Sequence, residues 1–212
     1  MEHKKNHNQL EKDSPYGKII IESPVPSERF ASYTFDEGLV AFRPAQRQHA
    51  ALSEVAKQPE ARMTVARIDD LVIGYAAFSY PDPLERWAEG NLERLLVLGA
   101  VEVSPNYRGA GLGKALLEVT MMDEAVEDYI IITTEYYWHW DLKSTGLNVW
   151  DYRRMMEKMM NHGGLMYTPT DDPEICSHPA NCLMVRIGRN VDQETIDQFD
   201  RLRFARRYAT YE

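Results

Sequence analysis

The residues best suited to chemistry lie in a glycine-rich turn between a predicted strand and a predicted helix. The segment reads Val101-Glu-Val-Ser-Pro-Asn-Tyr-Arg-Gly-Ala-Gly-Leu-Gly-Lys114. Glycines let the backbone approach a ligand closely, and the unpaired N–H groups of a first helical turn, with the positive end of the helix dipole, favour an anion. The segment therefore predicts a binding site for a phosphate-bearing cofactor.

The spacing of the glycines separates three kinds of phosphate-binding turn. A Walker A loop would need glycine at Arg108, and the residue after Lys114 lacks the hydroxyl that holds Mg²⁺. A dinucleotide fingerprint, Gly-x-Gly-x-x-Gly, would need glycine at Lys114 or at Leu116. The pattern that remains is Arg-x-x-Gly-x-Gly, formed by Arg108, Gly111 and Gly113.

This pattern follows a strand that ends Val-x-Pro-x-Tyr-Arg, and the combination resembles the acetyl-coenzyme A signature of the GNAT acetyltransferases. The resemblance implies that the amides of the turn hold the pyrophosphate of acetyl-CoA, and that residues 101–103 pair with the pantetheine arm through their backbone. The cofactor-binding residues it indicates are Val101, Val103, Arg108, Gly109, Ala110, Gly111, Leu112, Gly113 and Lys114.

Four further stretches, residues 80–87, 133–142, 177–183 and 198–204, resemble one bacterial branch of this family, so the similarity extends over nearly the whole chain. The resemblance to that branch implies N-acetylation of a lysine in acetyl-CoA synthetase, which inactivates that enzyme in acetoin and acetate metabolism. Two alternatives use the same cofactor turn. One is a non-catalytic module that senses acetyl-CoA and inhibits a partner by contact, and the other is a small-molecule amine N-acetyltransferase.

Acetylation of a lysine requires its amine to lose a proton. With a pKa near 10.4, deprotonation at pH 7 costs about 4.6 kcal/mol, so a base or a dry site must help. Glu102 is the carboxylate nearest the signature and is the first candidate base. Because strand side chains alternate, Glu102 points away from the face that carries Val101 and Val103. Glu135 and His139 are therefore kept as reserve candidates.

The general acid is not assigned by the sequence. Members of the family commonly carry a tyrosine four residues before a glycine, on the helix after the neighbouring strand, and here Met159 stands four residues before Gly163. The alternatives that stay open are Tyr152, Tyr137 and Tyr136. Water is a further alternative, because a thiolate with a pKa of about 8.5 leaves without much need of a proton.

The elements that must position these residues follow from hydrophobic periodicity. The signature is preceded by an apolar strand at 95–103, which is expected to be buried on both faces, and is followed by a helix from 112 to about 127. Strands at 62–68 and 71–80, joined by Asp69-Asp70, predict an antiparallel hairpin. The other predicted strands are 17–22, 129–137, 165–168 and 183–187, and the other predicted helices are 44–57, 149–160 and 192–208.

This order of elements predicts a single α/β domain over residues 16–212 that ends in a C-terminal helix, preceded by a flexible polar tail at 1–15. Hairpins and a crossover together predict a mixed sheet. The resemblance further implies a GNAT-like, mostly antiparallel sheet, with a splayed central strand pair flanked by helices.

Composition limits the remaining possibilities. The chain has 212 residues, 44% hydrophobic and 27% charged, with a formal net charge of −9, which argues against a nucleic-acid partner. The longest apolar run is far shorter than the 18–20 or so residues that a membrane span needs, and the first residues do not resemble a targeting signal. Two cysteines are too few for a disulfide framework, so we expect a cytoplasmic protein. We expect no metal site, because no second cluster completes a four-ligand set around Cys176, His178 and Cys182.

Overall fold

The computed structural model describes residues 2–209. The tail and domain predictions also include Met1 and residues 210–212, which lie outside the described residues. The chain divides into two compact units, one within Met1–Ser79 and Leu98–Val126, the other within Tyr80–Val97 and Glu127–Glu212. The prediction of one domain over 16–212 stays a prediction.

The strands and helices alternate along the chain. The strands are β1 (Asn8–Ser14), β2 (Gly17–Ser23), β3 (Thr34–Phe35), β4 (Arg62–Ile68), β5 (Leu71–Ser79), β6 (Leu95–Val103), β7 (Ile130–Glu135), β8 (Met166–Thr168) and β9 (Cys182–Ile187). The helices are α1 (Ser27–Ser32), α2 (Ala45–Val55), α3 (Leu112–Thr120), α4 (Leu142–Thr145), α5 (Val149–Asn161), α6 (Gln193–Arg203) and α7 (Ala205–Ala209). Within residues 2–209, no helix combines the length and the apolar character needed to cross a bilayer.

The strands form a mixed sheet, as the sequence predicts. In the first unit their order is β1-β2-β4-β5-β6, with β3 beside β5, and in the second it is β6-β7-β9-β8. Antiparallel pairing joins β1 to β2, β2 to β4, β4 to β5, β7 to β9 and β8 to β9. The pairs β3–β5 and β6–β7 are parallel. The predicted mostly antiparallel α/β architecture is therefore confirmed.

The first unit is built around the β4–β5 hairpin. Asp69 takes a positive φ of 49° in the tight turn between the two strands, as the Asp-Asp pair predicts. Both strands are buried on both faces. Helix α3 packs on β2, β4 and β5. Side chains from α1, α2, the hairpin and the segment before α2 form an apolar cluster that includes Phe30, Leu39, Leu52, Met63, Val65, Val72 and Tyr75.

The second unit has its own apolar core between β7, β9 and α6. Trp87 stacks on Phe199 of α6 with ring centroids 6.1 Å apart. The cluster also contains Leu95, Ile130, Ile132, Ile175, Leu183 and Val185. Asp192 caps α6, because its side chain accepts a hydrogen bond from Thr195 N–H at 2.8 Å.

The predicted flexible tail is wrong for residues 8–14, which form strand β1. This strand pairs with β2 from Asn8↔Ser23 to Ser14↔Gly17. Its side chains are mostly exposed and polar, so hydrophobic periodicity carries no signal. An edge strand is nevertheless held by main-chain hydrogen bonds to its neighbour, which any side chain allows.

Two boundary expectations also need correction. Burial on both faces holds for Leu95, Leu96 and Leu98 of β6, but Gly99 is exposed and residues 100, 101 and 103 are only half-buried. Helix α3 ends at Thr120 and not near residue 127. The side chain of Asp123 accepts the N–H of Ala125 at 2.9 Å, and a short 3₁₀ turn follows, so the backbone leaves the α-helical path there.

Candidate functional site

The signature turn lies wholly in the first unit, between β6 and α3. Ser104 ends the strand, and its hydroxyl donates to Asp36 Oδ1 at 2.6 Å. Asn106, in the 3₁₀ turn Pro105–Tyr107, donates to the same oxygen at 3.2 Å. Asp36 therefore fixes the direction in which the chain leaves the sheet and enters the glycines.

Two glycines of the turn adopt left-handed backbone conformations. Gly109 has φ +86°, and Gly111, the N-cap of α3, has φ +69° and ψ +26°. A Cβ added to Gly109 would meet no atom within 4 Å, so open space lies beside this backbone. Glycines in this conformation carry no side chain that would cover the main-chain N–H groups of the turn, as in the backbone nests that bind anions.

The start of α3 is electrostatically suited to an anion. Gly111 supplies no side-chain cap, and the first turn contains no acidic residue. The first-turn amides have no acceptor within an α-helix, and the helix dipole adds partial positive charge at this end. The Lys114 ammonium adds a full positive charge, and its Nζ lies 3.5 Å from Oε1 of Glu118. These groups together can bind the phosphates of a cofactor.

One cation at this turn gives no signal in the local sequence. Lys12, on β1, is half-buried, and its ammonium donates a hydrogen bond to the carbonyl oxygen of Ala110. Tyr16, in the loop between β1 and β2, packs edge-to-face on Tyr107 with ring centroids 4.9 Å apart. The β1–β2 hairpin therefore contacts the turn at two points. Both contacts depend on the pairing of β1 with β2, which hydrophobic periodicity does not predict.

The end of β6 offers partly accessible backbone beside the turn. Val101 and Val103 are half-buried, and Gly99 on the same face is exposed. A Cβ placed on Gly74 would lie 3.3 Å from Val103 Cγ2 and 3.5 Å from Leu116 Cδ1 of α3. Val103 and Leu116 therefore lie beside the same glycine of β5. The predicted pairing of this strand with an extended cofactor arm remains a prediction.

Glu102 is held on the opposite face of β6. Its side chain is 7% exposed, Oε1 accepts the N–H of Ala41 at 2.7 Å, and Oε2 accepts the hydroxyl of Tyr75 at 2.8 Å. Gln48 donates to the same hydroxyl at 3.1 Å. Burial and the neighbouring Glu102 charge raise the pKa of Tyr75, so this phenol keeps its proton. Both carboxylate oxygens therefore already have donors.

Glu135, at the end of β7 in the second unit, has a different environment. It is half-buried, and it accepts hydrogen bonds from the Trp140 indole N–H and the Thr133 hydroxyl, each at 3.2 Å. Burial raises the pKa of Glu135, and these two hydrogen bonds counter only part of that effect. Stacking of Trp140 on Tyr152, with centroids 5.2 Å apart, holds the indole in place.

The remaining acid and base candidates lie close to Glu135 in the sequence. His139 is exposed and contacts the rings of Tyr136 and Trp138 edge-to-face. Burial first, and Glu174 second, raise the pKa of Tyr136. A phenol with a raised pKa is a weaker proton donor than an ordinary tyrosine, so the environment of Tyr136 does not favour it as the acid.

The first unit thus contains all nine predicted cofactor-binding residues and Glu102, whereas Glu135 and His139 belong to the second unit. Similarity to known proteins bears on the class of reaction. A family model described as "Acetyltransferase (GNAT) family" matches residues 28–137. This range includes the turn and both candidate glutamates.

Two curated relatives match almost end to end. They come from Bacillus licheniformis and from Bacillus subtilis strain 168, are 58% and 57% identical over 208 residues, and are both called acetoin utilization protein AcuA. The matches cover 98% of this chain and 99% of each relative. A crystal structure of the acetoin utilization protein from Exiguobacterium sibiricum 255-15 is 55% identical, with a TM-score of 0.94 over 99% of both chains. The chain described here therefore belongs to the GNAT family of acetyltransferases.

Proposed function

We propose that this acetyltransferase moves an acetyl group from acetyl-CoA to a lysine side chain of a protein, and that acetyl-CoA synthetase is this protein substrate. The names of the relatives support a role in acetoin utilization. The choice of acetyl-CoA synthetase rests on the resemblance of the sequence to one branch of the family.

The observation that carries the proposal is the turn at 108–114. It combines two left-handed glycines, open space beside Gly109, an uncapped helix start and no acidic residue in the first helical turn. Each of these features suits the diphosphate of a coenzyme A thioester. The residues present therefore fit acetyl-CoA, and the amides of Leu112, Gly113 and Lys114 would hold its diphosphate.

For the proton transfer we favour Glu135 over Glu102. Glu102 is 7% exposed and accepts hydrogen bonds of 2.7 and 2.8 Å, as a structural carboxylate does, whereas both hydrogen bonds to Glu135 are 3.2 Å long. Glu135 is accessible in part, and its raised pKa brings it nearer to the working range of a general base. When bound, acetyl-CoA supplies the acetyl group as an activated thioester. Glu135 would accept the proton lost by the lysine amine as its nitrogen bonds to the acetyl carbon and the thiolate leaves.

The test is transfer of mass to the protein substrate. Purified protein, acetyl-CoA and acetyl-CoA synthetase are incubated together, and the synthetase is analysed by mass spectrometry. We expect additions of about 42 Da on lysine, with loss of synthetase activity. Inhibition without any added mass would indicate a contact inhibitor instead. Acetylation of small amines without acetylation of the synthetase would indicate a different substrate class.

A further inference from the structure

Lys12 is the cation that the hairpin brings to the start of α3. Its ammonium donates to Ala110 O and lies 3.4 Å from the position that a Cβ on Gly111 would occupy. The residue is separated from Ala110 by 98 positions in the sequence. Strand β1 fixes its location, because Lys12 pairs with Ile19 of β2, whose side chain is fully buried.

The position of this cation is electrostatically unfavourable for the protein alone. The N-terminal end of a helix carries partial positive charge, so a nearby lysine is repelled and an acidic residue is preferred. The first turn of α3 nevertheless has no acidic residue and contains Lys114. Arg108 lies three residues before the N-cap. This gathering of positive groups at the start of α3 is explained if a multiply charged anion binds there.

The hydrogen-bonding capacity of Lys12 points the same way. An ammonium group has three donor hydrogens, and Ala110 O accepts one of them. The bond to Ala110 O leaves two donors of this half-buried side chain, which lies beside the glycine turn, for a further acceptor. A phosphate oxygen is a preferred acceptor for such a point charge.

We propose that Lys12 is a cofactor-binding residue that donates a charge-assisted hydrogen bond to the diphosphate of acetyl-CoA. The proposal rests on the proposed function, because it concerns the same turn. It assigns the β1–β2 hairpin a direct part in binding the cofactor, beside the main-chain groups of the turn.

The test compares Lys12→Met with Lys18→Met. Lys18 lies on the same hairpin, is exposed and pairs with Glu11 at 2.8 Å, so its loss removes an equal charge from a neighbouring position. Affinity for CoA is measured by calorimetry. We expect K12M to weaken CoA binding about tenfold or more, the effect of one charge-assisted hydrogen bond, and K18M to bind within about twofold of wild type. Lys12→Arg should recover part of the affinity.

A second readout separates ligand contact from a structural role. Acetyl-pantetheine lacks the diphosphate, so its turnover should be the same in K12M and wild type. Without ligand, K12M should melt within about 2 °C of wild type, because the cation sits against the helix dipole. Equal CoA affinity in K12M and wild type would overturn the assignment of Lys12 alone. A large loss of ligand-free stability, with both substrates affected equally, would also overturn it. Failure of the wild-type protein to bind CoA would reject the proposed function itself, and Lys12 with it.

Discussion

Replacing Gly111 with alanine tests whether the turn binds the cofactor through its backbone. At φ +69° and ψ +26° an L-residue costs about 1–2 kcal/mol. The lower entropy of the unfolded alanine chain offsets about 0.4–1 kcal/mol of this. We therefore expect a net destabilisation of about 1 kcal/mol, which lowers the melting temperature of a protein of this size by about 2–4 °C.

Gly146 provides the matched control. It ends α4 at φ +67° and ψ +8°, and a Cβ there would meet no atom within 4 Å. Gly146→Ala should therefore cost the same stability as Gly111→Ala. The two variants should differ in CoA binding, because the added methyl group at 111 lies at the N-cap of α3 and 3.4 Å from the Lys12 ammonium.

The expected loss of CoA affinity in Gly111→Ala is about 10- to 100-fold, if the methyl group displaces one charge-assisted hydrogen bond worth about 1.5–3 kcal/mol. Calorimetry with CoA and thermal melting without ligand provide the two measurements. The reasoning is refuted if Gly111→Ala binds CoA as wild type does. It is also refuted if Gly146→Ala weakens binding equally, since strain alone would then account for the effect.

Four other substitutions have defined outcomes. Glu135→Gln should lower kcat about 10²- to 10⁴-fold, and kcat should no longer rise as the pH passes through the raised pKa of this carboxylate. Glu102→Gln should lower kcat less. A larger loss of kcat in Glu102→Gln would assign the base to Glu102 instead. Asp123→Ala should cost about 3–5 kcal/mol in urea unfolding, because it leaves Arg62 buried without its carboxylate. Burial alone would raise the pKa of Asp123, but hydrogen bonds from Ala125 and Asn6 and the Arg62 charge lower it below 3.8. Wild-type stability should therefore fall as pH drops below about 4, and a variant without this carboxylate should lack that contribution. Trp87→Ala should cost about 3–5 kcal/mol, and a change below about 1 kcal/mol would contradict the stacked core described for the second unit.

Local patterns in the sequence predicted most elements closely. The bounds of β4 and β6 agree residue for residue: β4 is rich in strand-forming residues and ends before the turn-forming pair Asp69-Asp70, and β6 is a mainly apolar run that ends before Ser104-Pro105. The position of the glycine turn also agrees, since its backbone conformation depends on the glycines themselves. Helix α5 is predicted from its periodicity, and it begins at the predicted Val149.

Features set by distant partners were not predictable in this way. The environment of Glu102 depends on Ala41 and Tyr75, which are 61 and 27 residues away in the sequence. The exposed position in β6, Gly99, was missed because a partly exposed strand can have the same apolar composition as one buried on both faces. Strand β1 was missed because its polar side chains carry no period-2 signal.

The segment that gave the weakest sequence signal is the one that brings a cation, Lys12, to the glycine turn. An edge strand keeps its polar side chains because one of its sides has no partner strand and its faces meet solvent. The same freedom lets Lys12 reach past the strand to Ala110. A side chain that donates a hydrogen bond to Ala110 O has to be polar. Hydrophobic periodicity therefore cannot detect the strand from this residue. The buried Arg62–Asp123 pair, which Asn6 also contacts, connects the chain just before β1 to the segment that follows α3, so the hairpin is joined to the first unit at both the turn and this pair.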